Sequence, residues 1–388
     1  MTKRIALYWH NGRGLGHTVR SATLGQALLD AMPGSAVVGI TGASKGFELL
    51  PSGMDLVKIP SYLAYDEQDG VHTEPILPIT KGQFQHIREN LIATFVRDFS
   101  PEVFIVDYHP EGKKGELVPA IINSPNTKKV LGLRGVLNTP VETNSEFFNP
   151  RTVDFIQEYF SAIHVYTDAR VFRLEEYYGI PDSLRDLLKY TGYVTRPTVA
   201  TKAEARAILN IDPNARIIVA SFGGGQATDK IWQPVLNALS PMSNHIDLAY
   251  FAAGPYLEPA AYERLHAEVS QHANWHWTRL LDPLPLWIKA SDFFIGSGGY
   301  NSLAEVVATG ANALIIPRHL SDREQEIHAS RLAGMKVLRV ISLETLWGKD
   351  ITGLLEMCLA EPYPYEKHVT ISVDGARQNA SFIKALIA

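Results

Sequence analysis

Short apolar runs alternate along this chain with longer stretches whose apolar residues recur at helical spacing. Residues 4–8, 36–40 and 56–59 read as strands, with a helix over 19–31 between the first two. Residues 82–98 predict a second helix, with Phe84, Ile87, Leu91, Ile92 and Phe95 along one face. Three further strands follow: 103–106 ending at Asp107, 129–133 ending at Arg134, and 162–166. Residues 66–78 hold turn residues and two prolines and read as a loop. Such alternation implies a parallel sheet covered by helices on both faces. The pattern breaks at 191–201, TGYVTRPTVAT, and restarts with strands at 217–220, 245–252 and 293–295 and helices at 231–239 and 260–269. The expected architecture is therefore α/β, with two doubly wound, Rossmann-like domains at 1–192 and 193–377. The terminal helix can close back on the first domain over 378–388.

Composition narrows this picture. A length of 388 residues suits two domains, and 46% hydrophobic with 20% charged residues is ordinary for a globular chain with a large core. A formal charge of −5 argues against a nucleic-acid partner. A single cysteine, Cys358, excludes an intrachain disulfide and fits a cytoplasmic protein. No run approaches the ~20 apolar residues that span a bilayer, so no transmembrane segment is expected.

The most informative stretch is 282–329. Its turn Gly296-Ser297-Gly298-Gly299 lies between the strand at 293–295 and a helical run at 302–308. A strand ending in glycines at a helix start presents backbone N–H groups and the positive end of a helix dipole, which suits phosphate. A second turn, Gly223-Gly224-Gly225-Gln226, closes the strand at 217–220, so both turns can address one pyrophosphate. Glu305, one helical turn in, suits ribose hydroxyls; a solvated helix residue is its plainer alternative. Asp322-Arg323-Glu324-Gln325 follows the next strand. Polar groups converging beside a phosphate cradle predict a nucleotide carrying a hydroxylated group such as a sugar.

The first half has its own turn, Gly12-Arg13-Gly14-Leu15-Gly16-His17, after its first strand. The glycine spacing is not G-x-G-x-x-G, and Ile40-Thr41-Gly42 stands where a dinucleotide fold places its acidic residue, so NAD is discounted. Gly14 and Gly16 can instead approach a second substrate, and His17 at the turn's mouth can take a proton from a hydroxyl. A helix-capping or surface histidine would carry the same signature. Asp107, at the end of a strand in the same sheet, can orient that imidazole; a turn or cap residue is as consistent with its position. His109 and Arg134 lie on neighbouring loops and are further candidates for acceptor contacts. The chain has no H-E-x-x-H, C-x-x-C, D-x-D, G-x-S-x-G or P-loop motif, and no metal site or cofactor is expected.

Taken together, GRGLGHTVR, TGYVTRP, SFGGGQ and above all SDFFIGSGGYNSLAEVVATGANALIIPRHLSDREQEIHA resemble the GT-B glycosyltransferases. The chain is most similar to the MurG-like group, with its family 28 type C-terminal domain, and the likeness covers nearly the whole sequence. It implies two Rossmann-like domains facing a central cleft, with acceptor on the N-terminal and nucleotide-sugar donor on the C-terminal domain. By position it implies that Leu281 meets the base through its backbone and Glu305 binds ribose. Ser297, Gly298, Gly299, Asn301 and Ser302, with Gly223 to Gln226, would surround the diphosphate, and Glu324 and Gln325 would touch the sugar. It further implies an inverting, metal-independent transfer from a UDP-sugar, with His17 near the reacting centre, while the chain's departures from the peptidoglycan enzyme favour a soluble acceptor, such as a specialised metabolite or a saccharide, over a lipid-linked one. The peptidoglycan enzyme usually has two glutamines where Glu324-Gln325 stands, and its N-terminal turn has doubled glycines that are absent here. The run G-L-G-H-x-x-R also resembles GT-B nucleotide-sugar hydrolases, which use water as nucleophile. A non-catalytic nucleotide-sugar binder would need the C-terminal motif but not His17.

Overall fold

The structure is a computed structural model that describes residues 2–10, 14–67, 70–224, 228–318, 323–361 and 370–388, and only the backbone over 64–72. The chain forms two compact units: residues 1–195 with 371–388, and residues 196–370.

Unit 1 is built on β1 (Arg4–Trp9), β2 (Ala36–Thr41), β3 (Met54–Lys58), β4 (Tyr62–Glu67), β5 (Gly70–Pro75), β6 (Val103–Asp107), β7 (Lys128–Leu133), β8 (Ala162–Val165) and β9 (Leu188–Tyr190). Seven of them make one parallel sheet in the order β3-β2-β1-β6-β7-β8-β9. In β1, β6 and β7 nearly every residue is buried. Helices cover both faces of such a sheet, so its central strands read as continuous apolar runs rather than alternating ones. Unit 2 repeats the plan with β10 (Ile217–Ser221), β11 (Leu248–Ala252), β12 (Trp275–Thr278), β13 (Phe293–Ser297), β14 (Ala313–Ile316) and β15 (Arg339–Val340). Its six parallel strands run β12-β11-β10-β13-β14-β15.

Three expectations change. The expected loop at 66–78 contains half of an antiparallel hairpin: β4 pairs with β5, from Tyr62 opposite Pro75 to Glu67 opposite Gly70. Pro75 stands at the last rung, where a missing N–H costs no interior ladder bond, so proline did not exclude a strand. The helix Lys81–Phe99 buries Phe84, Arg88, Ile92 and Val96, while Ile87 and Leu91 are exposed. An arginine took the place of an apolar residue on the packed face because Glu116, itself wholly buried, receives its guanidinium. Finally, the chain rejoins unit 1 at Ile371, earlier than the expected 378. There Ser372 N–H donates to Asp168 Oδ2 at 2.7 Å, Tyr193 N–H donates to the Ser372 carbonyl at 2.8 Å, and Gly375 N–H donates to the Tyr193 carbonyl at 2.9 Å. Gly192, at φ 86, gives this segment room; a Cβ there would lie 2.9 Å from the Ser372 carbonyl oxygen.

Candidate active site

Each parallel sheet reverses its strand order once, between β1 and β6 in unit 1 and between β10 and β13 in unit 2. Open α/β sheets bind ligands beyond the carboxyl ends of the strands at such a reversal. The chemistry-bearing residues expected from the sequence sort mainly onto these two points.

In unit 1, the helix Gly16–Ala31 follows β1, and its first turn carries His17 with Arg20 one turn later on the same face. Asp107 ends the adjacent β6 and is buried. His17 Nδ1 lies 2.5 Å from Asp107 Oδ2. Arg20 clamps the same carboxylate, its Nε 3.0 Å from Oδ1 and its Nη2 2.9 Å from Oδ1 and 2.7 Å from Oδ2. Burial on its own pushes the Asp107 carboxyl up; the Arg20 guanidinium and His17 outweigh it and hold it well below the usual carboxylate range. An ionised carboxylate at Nδ1 makes Nδ1–H the donor and leaves the lone pair on Nε2. Burial lowers the His17 pKa, Asp107 raises it, and Arg20 and Arg134 lower it again, with a downward net direction. The imidazole is therefore a neutral base near neutral pH. Arg20 Nη2 also sits 2.8 Å from Nδ1, so its charge opposes protonation of the ring directly. In Arg20→Met, which keeps the stem and removes the cation, the His17 imidazole should titrate at higher pH than in the parent chain. NMR titration of His17 checks this, and an unchanged or lower midpoint would contradict the arrangement.

Tyr108, the residue after Asp107, is a non-glycine residue at φ 79. Its ring gathers the other candidates: His17 at 5.7 Å, His109 at 4.5 Å, Phe147 at 4.8 Å and the Arg134 guanidinium at 4.6 Å. His109 stacks on Phe147 at 5.4 Å, and burial followed by the His17 and Arg134 charges lowers its pKa to about 4. Three of the four unit 1 side chains singled out in the sequence, His17, His109 and Arg134, thus surround one aromatic ring. Gly14 borders this region with open space where a side chain would stand, and Gly16 opens the helix; Gly12 and Arg13 lie outside the described residues. The sequence reading gave Arg20 no role, although its three-residue spacing from His17 at a helix start was visible. Nothing in the sequence marked Tyr108.

In unit 2, β10 and β13 lie side by side with Ser221 opposite Gly296, so the two glycine turns leave the sheet together. Gly223 adopts φ 74, and a Cβ there would come 3.7 Å from Ser297 Oγ. The helix Tyr300–Thr309 starts from Gly299, which has no side chain to cap the first-turn amides, and a helix start of this kind suits an anion. Gly298 permits a close approach: a Cβ there would lie 2.9 Å from the Gln325 carbonyl oxygen. That contact sets Glu324 and Gln325, buried in the first turn of the helix Glu324–Gly334, against the glycine turn. Asn301 and Ser302 lie in the first turn of the helix after Gly299, while Gly225, Gln226 and Asp322 are outside the described residues.

Glu305 is buried, not a solvated helix residue, and burial raises its pKa against the pull of Arg196. Arg196 donates to Glu305 Oε1 from Nη2 at 3.0 Å and from Nε at 3.2 Å, and its Nη1 reaches Asp282 Oδ1 at 2.7 Å. Asp282 follows Leu281, so Arg196 joins the residues expected at ribose and base. This bridge was not legible in the sequence, where more than a hundred positions separate Arg196 from Glu305.

Residues 219–379 match the glycosyltransferase family 28 C-terminal domain. The match lies mostly in unit 2, and the fold is that of the GT-B structures. The family 28 match spans both glycine turns, Glu305, Glu324 and Gln325. Among curated relatives, the UDP-N-acetylglucosamine–N-acetylmuramyl-(pentapeptide) pyrophosphoryl-undecaprenol N-acetylglucosamine transferase of Desulfitobacterium hafniense is 24% identical over 190 residues, covering 47% of this chain and 51% of that one. The chain thus matches about half the length of that relative. A crystal structure of MurG from Acinetobacter baumannii superposes with a TM-score of 0.57 at 12% identity, covering 99% of both chains. The UDP-GlcNAc 2-epimerase from Methanocaldococcus jannaschii superposes at 0.61 with 10% identity, covering 99% of both. The fold is common to both proteins, and the chemistry of this chain has to be argued from its own side chains. Among the described residues no helix is long and apolar enough to cross a membrane.

Proposed function

We propose that this protein is an inverting glycosyltransferase that moves a sugar from a UDP-sugar to a hydroxyl of a small soluble acceptor without a bound metal. The observation that carries the reading is a histidine held as an Nδ1–H tautomer by Asp107 at the reversal point of unit 1, in a chain whose other unit has the family 28 domain. His17 Nε2 takes the acceptor hydroxyl proton as the oxygen attacks the anomeric carbon. The bond from that carbon to the diphosphate oxygen breaks, and the electron pair leaves with the nucleotide. One in-line displacement inverts the carbon. Asp107 stabilises the imidazolium so formed. Amides at the Gly299 helix start and the Gly223 turn receive the charge that develops on the leaving diphosphate. Glu305 and Leu281 hold ribose and base, and Glu324 and Gln325 face the sugar.

The deciding experiment incubates the protein with UDP-sugars and follows UDP release with and without candidate hydroxyl acceptors. Release that requires an acceptor supports transfer. Release in water alone replaces it with hydrolysis, and UDP binding without release replaces it with a binding protein. For the donor half, Glu305→Ala is expected to weaken UDP binding by about 10–100-fold, the scale of lost hydrogen bonds to a charged group. Calorimetric titration with UDP reads this directly, and an unchanged affinity would remove Glu305 from the ribose.

A further inference from the structure

β1 and β6 run in parallel register with Tyr8 beside Val106, so the residues after them leave the sheet at one edge. His17 and Asp107 occupy part of that edge. Another part is occupied by His10, the Tyr62 ring and the turn at 112–115. Lys113 Nζ lies 3.0 Å from His10 Nε2 and 4.9 Å from the centre of the Tyr62 ring, and Lys114 Nζ lies 4.9 Å from the same centre. In this turn Lys114, a non-glycine residue, stands at φ 57, between two glycines that take positive φ freely. Such backbone persists where its surroundings over-determine it, most often at binding and catalytic sites.

Two ammonium groups on one ring repel each other, and Glu116 offsets the Lys113 charge only in part. Asp107 is bound by Arg20 and His17. Glu116 is fully buried and is gripped by Arg88 and the Tyr8 hydroxyl. His10 offers only a neutral ring. Burial, followed by Lys113, lowers its pKa to about 2, so Nε2 accepts from the lysine and Nδ1 carries the proton. That Nδ1–H is a buried donor with no hydrogen-bond partner among the described residues. Burial, followed by Lys114, brings Lys113 itself down to about 8. Crowded cations with their carboxylate neighbours already committed make a place for an external anion. His10 follows β1 and His17 opens the helix after it, so this corner and the base lie at the same edge of the sheet.

We infer that the corner formed by His10, Lys113 and Lys114 binds an anionic group of the acceptor, a phosphate or a carboxylate, and so presents the acceptor's hydroxyl to His17. The glycosyltransfer reading supplies only the word acceptor here; the anion site stands on the side chains above. The acceptor class is then a hydroxylated phosphate ester or hydroxy acid. Selectivity for it rests on Lys113, which the sequence pattern does not single out.

The test uses the full chain saturated with UDP, so that the unit 2 turns are filled, and titrates it separately with inorganic pyrophosphate and with malonate. Heat and the His10 imidazole NMR signals are followed. Saturable binding that shifts His10 is expected, about tenfold or more weaker in Lys113→Met. Recovery is expected in Lys113→Arg, with no change in Lys349→Met, an exposed lysine of unit 2. Binding of pyrophosphate alone assigns a phosphate, binding of malonate alone a carboxylate, and binding of both a general anion site; each supports the inference. An unmoved His10, or equal affinity in Lys113→Met, overturns it. A chain that binds neither UDP nor any UDP-sugar contradicts the donor reading, while a His10 shift in that same chain still upholds the anion site.

Discussion

Replacing His17 by alanine should slow sugar transfer by about 10²–10⁴-fold, the usual loss when a positioned general base is removed. The argument is geometric before it is electrostatic. One nitrogen of the ring is committed to Asp107 at 2.5 Å, so the other is fixed in direction and carries the lone pair. The carboxylate stays ionised because Arg20 reaches both of its oxygens, and it waits as the counter-charge for the imidazolium. The variant should bind UDP with parental affinity, because His17 belongs to unit 1 and the glycine turns to unit 2. Single-turnover transfer with saturating donor is the measurement. A His17→Ala chain that turns over at the parental rate would rule out this histidine as the base.

The second large effect is on stability. Arg88→Met should destabilise unit 1 by about 3–5 kcal/mol, because it leaves the Glu116 carboxylate buried without its cation. Both side chains are fully buried, and the guanidinium also donates to the Pro60 carbonyl, so water does not replace what is lost. Adding Glu116→Gln should restore most of the loss, because the double variant strands no charge. Denaturant unfolding of the single and double variants reads both numbers. A single variant within about 1 kcal/mol of the parent would show that the buried pair contributes little beyond its own desolvation cost. If the pair behaves as argued, it also explains how Glu116 can lie near the two lysines without neutralising them.

The α/β layout and most of its strands were legible in the sequence because a parallel sheet writes itself as apolar runs between amphipathic stretches. The hairpin was not, since its prolines resemble loop punctuation until their place at the ladder's end is known. The glycine turns of the family 28 domain were legible because phosphate chemistry constrains backbone, and backbone constraint appears as glycine. Side-chain partnerships were much less so. Arg20 with Asp107 and Arg196 with Glu305 join residues 87 and 109 positions apart, and no local period encodes such pairs. Arg88 shows the converse: helical periodicity identified the helix and put Phe84 and Ile92 on its packed face, but set the exposed Ile87 and Leu91 beside them in place of the buried Arg88.

The return of the chain to unit 1 at Ile371 bears on synthesis. Unit 2 is one uninterrupted segment and can fold as it leaves the ribosome, whereas the scaffold that holds His17 stays open until translation reaches the tail. The helix Gly375–Leu386 packs on the helix Gly16–Ala31, and Asn379 bonds His164 at 2.6 Å and Thr191 at 2.9 Å inside unit 1. A nascent or proteolytically shortened chain ending before Ile371 therefore keeps the glycine turns of unit 2 but lacks the brace behind the helix that carries His17. Vectorial synthesis thus completes unit 2 first and the unit that holds His17 and Asp107 last.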